Sequence, residues 1–190
     1  MNCDEFESPV ANVLPEGVVR GRKNPLYTGF SRRLKQARKA TGQTRFGLTT
    51  KMDSLDRGMV ATLEQGQRIP RLDTVERIAY VLGLSPAFLA YGIEQECLPV
   101  EQLRAADIGS RLRLARVACG LSVLGLAQLA DASHTAVGNI ERGGTMPSIA
   151  TVEALAKALN VSPGWLGYGI GPQTLPARRG AGAAQTAADS

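Results

Sequence analysis

The chain has 190 residues, enough for one ordinary domain or two small ones. Hydrophobic residues make up 44% and aromatics 5%, so a core can form, yet no stretch approaches the run of about 20 apolar residues that a membrane span needs. The net charge of +5 favours an anionic partner. Acids at Asp4, Glu5 and Glu7 stand where a secretory signal needs a basic start and an apolar core. Cys3, Cys97 and Cys119 are too scattered for a disulfide framework or a zinc site. A cytoplasmic protein without metal or cofactor is the expectation.

The charge is blocked along the chain. Residues 30–92 hold 11 basic and 5 acidic side chains, a net of +6. Residues 108–169 hold 5 and 3, a net of +2, and residues 93–107 hold 1 and 4, a net of −3. The blocks follow an internal repeat. The stretch from Gly66 to Gly92 aligns without gaps to that from Gly143 to Gly169, sharing Pro70/Pro147, the TVE triplets, the SP pairs and the final YG. Upstream, Phe30 to Gly42 matches Ile108 to Gly120. Two copies are too few for a solenoid, so two similar globular domains are expected.

In chain order, residues 1–29 form an irregular arm with Pro9, Pro15 and Pro25. Its Arg20-Gly21-Arg22-Lys23 run reads as a charged linker before it reads as an arm reaching DNA. Each repeat, 30–92 and 108–169, then predicts five short helices. In the first helix Phe30, Leu34 and Ala37 make an apolar stripe matched by Ile108, Leu112 and Ala115. Gly42 and Gly120 end it. Thr44 and Ser122 are expected N-caps of a second helix carrying Leu48/Met52 and Leu126/Ala130. Asp56 and Ser133 are expected N-caps of a third, with Val60/Leu63 and Val137/Ile140 inward and Gly66 and Gly143 as stops. The fourth carries Val75, Ile78, Ala79 and Leu82, matched by Val152, Leu155, Ala156 and Leu159. Ser85-Pro86 and Ser162-Pro163 open the fifth, where proline's missing N–H costs nothing, and Phe88 or Trp165 is expected to return to the core. The acidic linker 93–107 allows a helical turn or two over 100–106. The tail, 170–190, is rich in Ala, Gly and Gln and reads as disordered.

Two short helices joined by a tight turn let the second enter the major groove. The stretch from Gly120 to Gly143, GLSVLGLAQLADASHTAVGNIERG, resembles the phage-repressor (Xre, lambda-repressor-like) helix-turn-helix family: G-L-S at the opening, L-A in the second helix, a capping Ser, I-E-R-G at the end. Gly42 to Gly66 keeps the frame with one extra residue in the turn. The resemblance covers about two thirds of the chain. It implies an all-α fold of two tandem five-helix domains and a duplex-DNA partner.

It also implies roles for single positions. Base readers would be Arg57, Gly58 and Thr62 in the first copy, and His134, Thr135 and Asn139 in the second. Arg57 suits guanine and Asn139 suits adenine. Gly58 carries no reading group and marks either close backbone approach or a weakened reader. Phosphate contacts would come from Thr44, Arg45, Arg68 and Arg71, and from Thr145 and Ser148. The family often has glutamine where Arg45 and Val123 stand, so both copies depart from it, and valine cannot hold a phosphate. Arg32 and Lys39 read more simply as solvated surface. Arg38 with Glu64, and Arg116 with Glu141, resemble the family's structural ion pair between first and third helices.

The function expected is sequence-specific transcriptional regulation, with repression as the family's usual sign. One chain could then imitate the dimer of single-domain relatives. The alternative is a protein-interaction role, as an antitoxin or adaptor, with the second copy used for homodimerisation or for a toxin or antagonist partner. An enzyme is not expected: His134 is the sole histidine and lacks a paired base, and no phosphate-binding glycine loop appears.

Overall fold

The computed structural model describes residues 25–52, 58–93, 107–171 and 173, and every regular element among them is a helix. A 3-10 turn, Leu26–Gly29, leads into α1 (Phe30–Ala40), α2 (Arg45–Lys51), α3 (Met59–Glu64), α4 (Leu72–Leu82) and α5 (Pro86–Tyr91). A second set follows: α6 (Ile108–Ala118), α7 (Val123–Leu129), α8 (His134–Glu141), α9 (Ile149–Ala158) and α10 (Pro163–Tyr168). The arm through residue 24, the segment 94–106 and all of the tail beyond 171 except Gln173 lie outside the described residues. Among the described residues no single helix is long and apolar enough to cross a membrane.

Local chemistry sets the boundaries. Gly42 and Gly120 both take φ of +66°, the left-handed turn that ends α1 and α6. The hydroxyls of Thr44 and Ser122 accept from the N–H of Gly47 and Gly125, capping α2 and α7. Ser85 caps α5 through the N–H of Phe88. Ser133 and Ser162 occupy N-cap positions without a side-chain cap bond. The third helix of the first set differs from expectation. It starts at Met59 with Gly58 at its N-cap, two residues later than its counterpart α8, and Asp56 lies outside the described residues.

Buried residues of both sets form one apolar cluster. The stripes on the first four helices of each set supply most of it, including Phe30, Leu34, Val60, Leu63, Val75 and Ile78, and Ile108, Leu112, Val137, Ile140, Val152 and Leu155. Ala37 is half-buried at its margin. The fifth helices correct the expectation in part. Trp165 packs against the core while half-buried, Phe88 is half-buried without joining it, and Leu89 and Leu166 fill the core. The reason is that α5 and α10 each bury two sides, one against their own set and one against each other.

The two sets pair through an approximate twofold exchange. The Leu72 N–H donates to the Pro147 carbonyl, and the Ile149 N–H to the Pro70 carbonyl, each at 3.1 Å, so Arg71 and Ser148 form an antiparallel bridge. The Tyr91 hydroxyl donates to the Ile149 carbonyl at 3.2 Å, and that of Tyr168 to the Leu72 carbonyl at 3.4 Å. Both tyrosines are fully buried, and burial first pushes both phenols well above their ordinary range, with Glu153 adding at Tyr91 and with Tyr91, then Glu76 and Asp73, adding at Tyr168. Ala87 and Gly164, which correspond in the repeat, face each other where α5 meets α10.

Two arginines tie each fifth helix to its first. Arg33 donates to the carbonyls of Leu89 and Ala90 at the end of α5, and Arg111 to those of Leu166 and Gly167 at the end of α10. These are helix C-terminal carbonyls without intrahelical partners, which favour a cation. Burial lowers the pKa of both guanidiniums. The entry to the first set is held from the second: the Glu153 carboxylate on α9 accepts from the N–H of Leu26 at 2.6 Å and of Tyr27 at 2.8 Å.

Candidate nucleic-acid interface

The second and third helices of each set pack on each other, α2 on α3 and α7 on α8. In α8, Val137, Gly138 and Ile140 turn inward, which leaves His134 and Thr135 exposed at its start. Asn139 is half-buried one turn on, and its Oδ1 accepts from Arg142 Nη2 at 2.7 Å. The expected readers of the second set therefore share one helix face, and Arg142 joins them. Sequence reading missed Arg142, although its spacing of three from Asn139 on a helix was a usable signal.

The first set presents less. Arg57 lies outside the described residues. Gly58 sits at the N-cap of α3. Thr62 is half-buried and its hydroxyl donates back to the Met59 carbonyl at 2.9 Å, a bond within the helix.

The residues expected at phosphates are placed as follows. Thr44 is exposed at the start of α2 and engaged as its cap. Arg45, at the first position of α2, is about half exposed and pairs through Nε with Glu64 Oε2 at 2.7 Å. Arg68 and Thr145 are exposed in the corresponding loops after α3 and α8. Arg71 is exposed and lies 3.7 Å from Asp73. Ser148 departs from the expectation, because its hydroxyl caps α9 through the Thr151 N–H at 3.2 Å beside the central bridge. Of the surface cations, Arg32 and Lys39 are exposed.

Beneath the third helices lie the ion pairs. Arg38 Nε meets Glu64 Oε1 at 2.6 Å, and Arg116 Nε meets Glu141 Oε1 at 2.6 Å. Each arginine also donates to the first carbonyl after its turn, Gln43 or Leu121, at 2.7 Å. Glu64 is 1% exposed and shared by Arg38 and Arg45. Burial alone would raise its pKa, but hydrogen bonds from the two arginines outweigh burial and hold the carboxyl below its ordinary value. Arg116 is raised, first by its bond to Glu141. These bonds fix the angle at which each third helix leaves its set.

Residues 112–166 match the family model described as Helix-turn-helix. The match runs from Leu112 in α6 to Leu166 in α10. No curated protein matches the chain, and no solved structure does. A chain whose described regular elements are all helices, whose α7 and α8 meet through a tight turn and whose α8 carries polar side chains on its outer face, thus carries at residues 112–166 a helix-turn-helix domain, the kind found in DNA-binding transcription regulators.

Proposed function

We propose that this chain is a sequence-specific regulator of transcription that binds duplex DNA in the cytoplasm and represses. Both five-helix sets act as helix-turn-helix units of the phage-repressor type, and their pairing takes the place of a dimer. The observation that carries this reading is the reciprocal contact at Leu72/Pro147 and Ile149/Pro70, which joins the two sets at the starts of their fourth helices. Half-sites then lie about one helical turn, roughly 34–36 Å, apart. The basic first set supplies much of the phosphate attraction, and the second set supplies His134, Thr135 and Asn139 to the bases. No catalytic role is proposed.

Binding of a labelled duplex, followed by fluorescence anisotropy across salt, tests this. The expected log–log slope is steep and negative, since each phosphate contact contributes roughly −0.9. Equal affinity for random and selected duplexes at physiological salt overturns the claim of specificity.

A second reading, a protein-interaction role for the second set, is favoured by one observation. Leu114, Val117, Leu124 and Leu129 are all more than half exposed there, where the first set has Gln36, Lys39, Phe46 and Lys51. Light scattering tests it: self-association that Leu114→Lys with Val117→Lys abolishes supports this role, and a strict monomer argues against homodimerisation.

A further inference from the structure

Asparagine at a reading position ordinarily selects adenine, because its amide offers one donor to N7 and one acceptor to the N6 amino group. The surroundings of Asn139 change that. Arg142 lies one turn on, at the end of α8, and folds back along the helix over Gly138; a Cβ on Gly138 would stand 3.3 Å from Arg142 Nη1. From there Nη2 donates to Asn139 Oδ1 at 2.7 Å. A guanidinium is only a donor, so this contact fixes which amide atom faces inward along the helix. A charge-assisted bond of this length is among the stronger hydrogen bonds. Among the described residues nothing accepts from Asn139 Nδ2.

One lone pair of the amide oxygen is therefore engaged by a cation, which weakens the oxygen as an acceptor and leaves the two N–H donors of Asn139 wholly unengaged among the described residues. The remaining N–H groups of Arg142 stand beside them on an exposed side chain. A face made of donors complements an edge made of acceptors. Guanine presents two acceptors in the major groove, N7 and O6, whereas adenine presents one acceptor and one donor.

We propose that Arg142 is a specificity-positioning residue that turns Asn139 into part of a guanine-reading pair. The proposal rests on the duplex-binding reading above and reverses the adenine preference expected from the asparagine alone.

Selection of bound duplexes from a random library tests it, using the full chain, Asn139→Ala, Arg142→Ala and Arg142→Lys, with each variant's melting temperature recorded. The position at which Asn139→Ala erases the base preference identifies the contact. The expected base there is guanine, favoured roughly tenfold over adenine. Arg142→Ala removes that preference or moves it to adenine while the melting temperature stays within a few degrees. Arg142→Lys, which keeps a cationic donor, retains guanine. Adenine at this position in the unmodified chain overturns the proposal. So does guanine that persists in a folded Arg142→Ala, or a motif indifferent to Asn139→Ala, and in each of these cases the duplex-binding reading stands. If Arg142→Ala fails to fold, loss of guanine in a folded Arg142→Lys decides against the proposal. A full chain that selects no motif overturns both readings together.

Discussion

Ala87 of α5 and Gly164 of α10 touch across the pairing surface so closely that a Cβ on Gly164 would stand 3.2 Å from the Ala87 Cβ, 3.1 Å from Ile93 Cδ1 and 3.1 Å from the Ile170 carbonyl. A larger side chain has nowhere to go, because one of these neighbours is backbone. Gly164→Leu is expected to lower stability by about 3 kcal/mol, the upper range for an overpacked core. Chemical denaturation measures this. The reverse neighbour, Ala87→Gly, should cost far less, since it relieves the contact instead of tightening it.

A second close approach lies within the second set. A Cβ on Gly109 would come 2.7 Å from the Ile140 carbonyl oxygen and 2.8 Å from that of Glu141, whereas Ser31 holds the corresponding place in α1. Gly109→Ala must push α6 off α8 and is expected to cost about 2 kcal/mol despite alanine's better helix propensity of about 1 kcal/mol. Ser31→Ala should be nearly neutral. Thermal unfolding of the two variants side by side checks the contrast, and equal effects would contradict it.

The buried phenols predict an alkaline limit. Tyr91 and Tyr168 keep their protons in the fold to a pH well above 10.0, the ordinary value at which they ionise once unfolded. The contribution is complete below that value and is lost as pH rises above it. With two such groups, stability should fall by about 2.7 kcal/mol per pH unit above pH 10. Urea unfolding from pH 8 to 11 measures the slope, and Tyr91→Phe should halve it.

At the acid end Glu64 contributes. Its carboxyl is held below 4.5 by Arg38 and Arg45, so its contribution is present at neutral pH and is lost as pH falls below about 4.5. Glu64→Gln leaves Arg38, which is 11% exposed, without its counter-charge. A loss of about 3 kcal/mol is expected at pH 7, with a flatter acid limb. Denaturation of both proteins at pH 7 and pH 3.5 tests this, and parallel pH profiles would refute it.

Most of the helices were legible because their apolar residues recur on one face and their ends carry Thr44, Ser122, Ser85 or a turn glycine. The fifth helices were misread at Phe88, and at Leu89 and Leu166, which fill the core. A helix buried on two sides has no single stripe, so periodicity cannot say which residue points where. Tyr91 and Tyr168 gave no signal either, because their acceptors are backbone carbonyls far along the chain and leave no trace in residue type. Arg33 and Arg111 were invisible for the same reason. The exposure of His134 and Thr135 was legible from the apolar spacing of the opposite face of α8. The bond that engages the Asn139 amide oxygen was not, because it comes from Arg142, a neighbour outside the expected set.

Pairing within one chain has a consequence for how its surface tolerates change. In an assembly of identical subunits every substitution at a twofold contact appears twice, and the contact must fit itself. Here the facing positions are separate codons. Ala87 meets Gly164, Leu72 corresponds to Ile149, and Ala90 corresponds to Gly167. Each side can shrink or grow against the other, so bulk added on one helix can be matched by bulk removed from its partner, a compensation closed to a surface that faces its own copy.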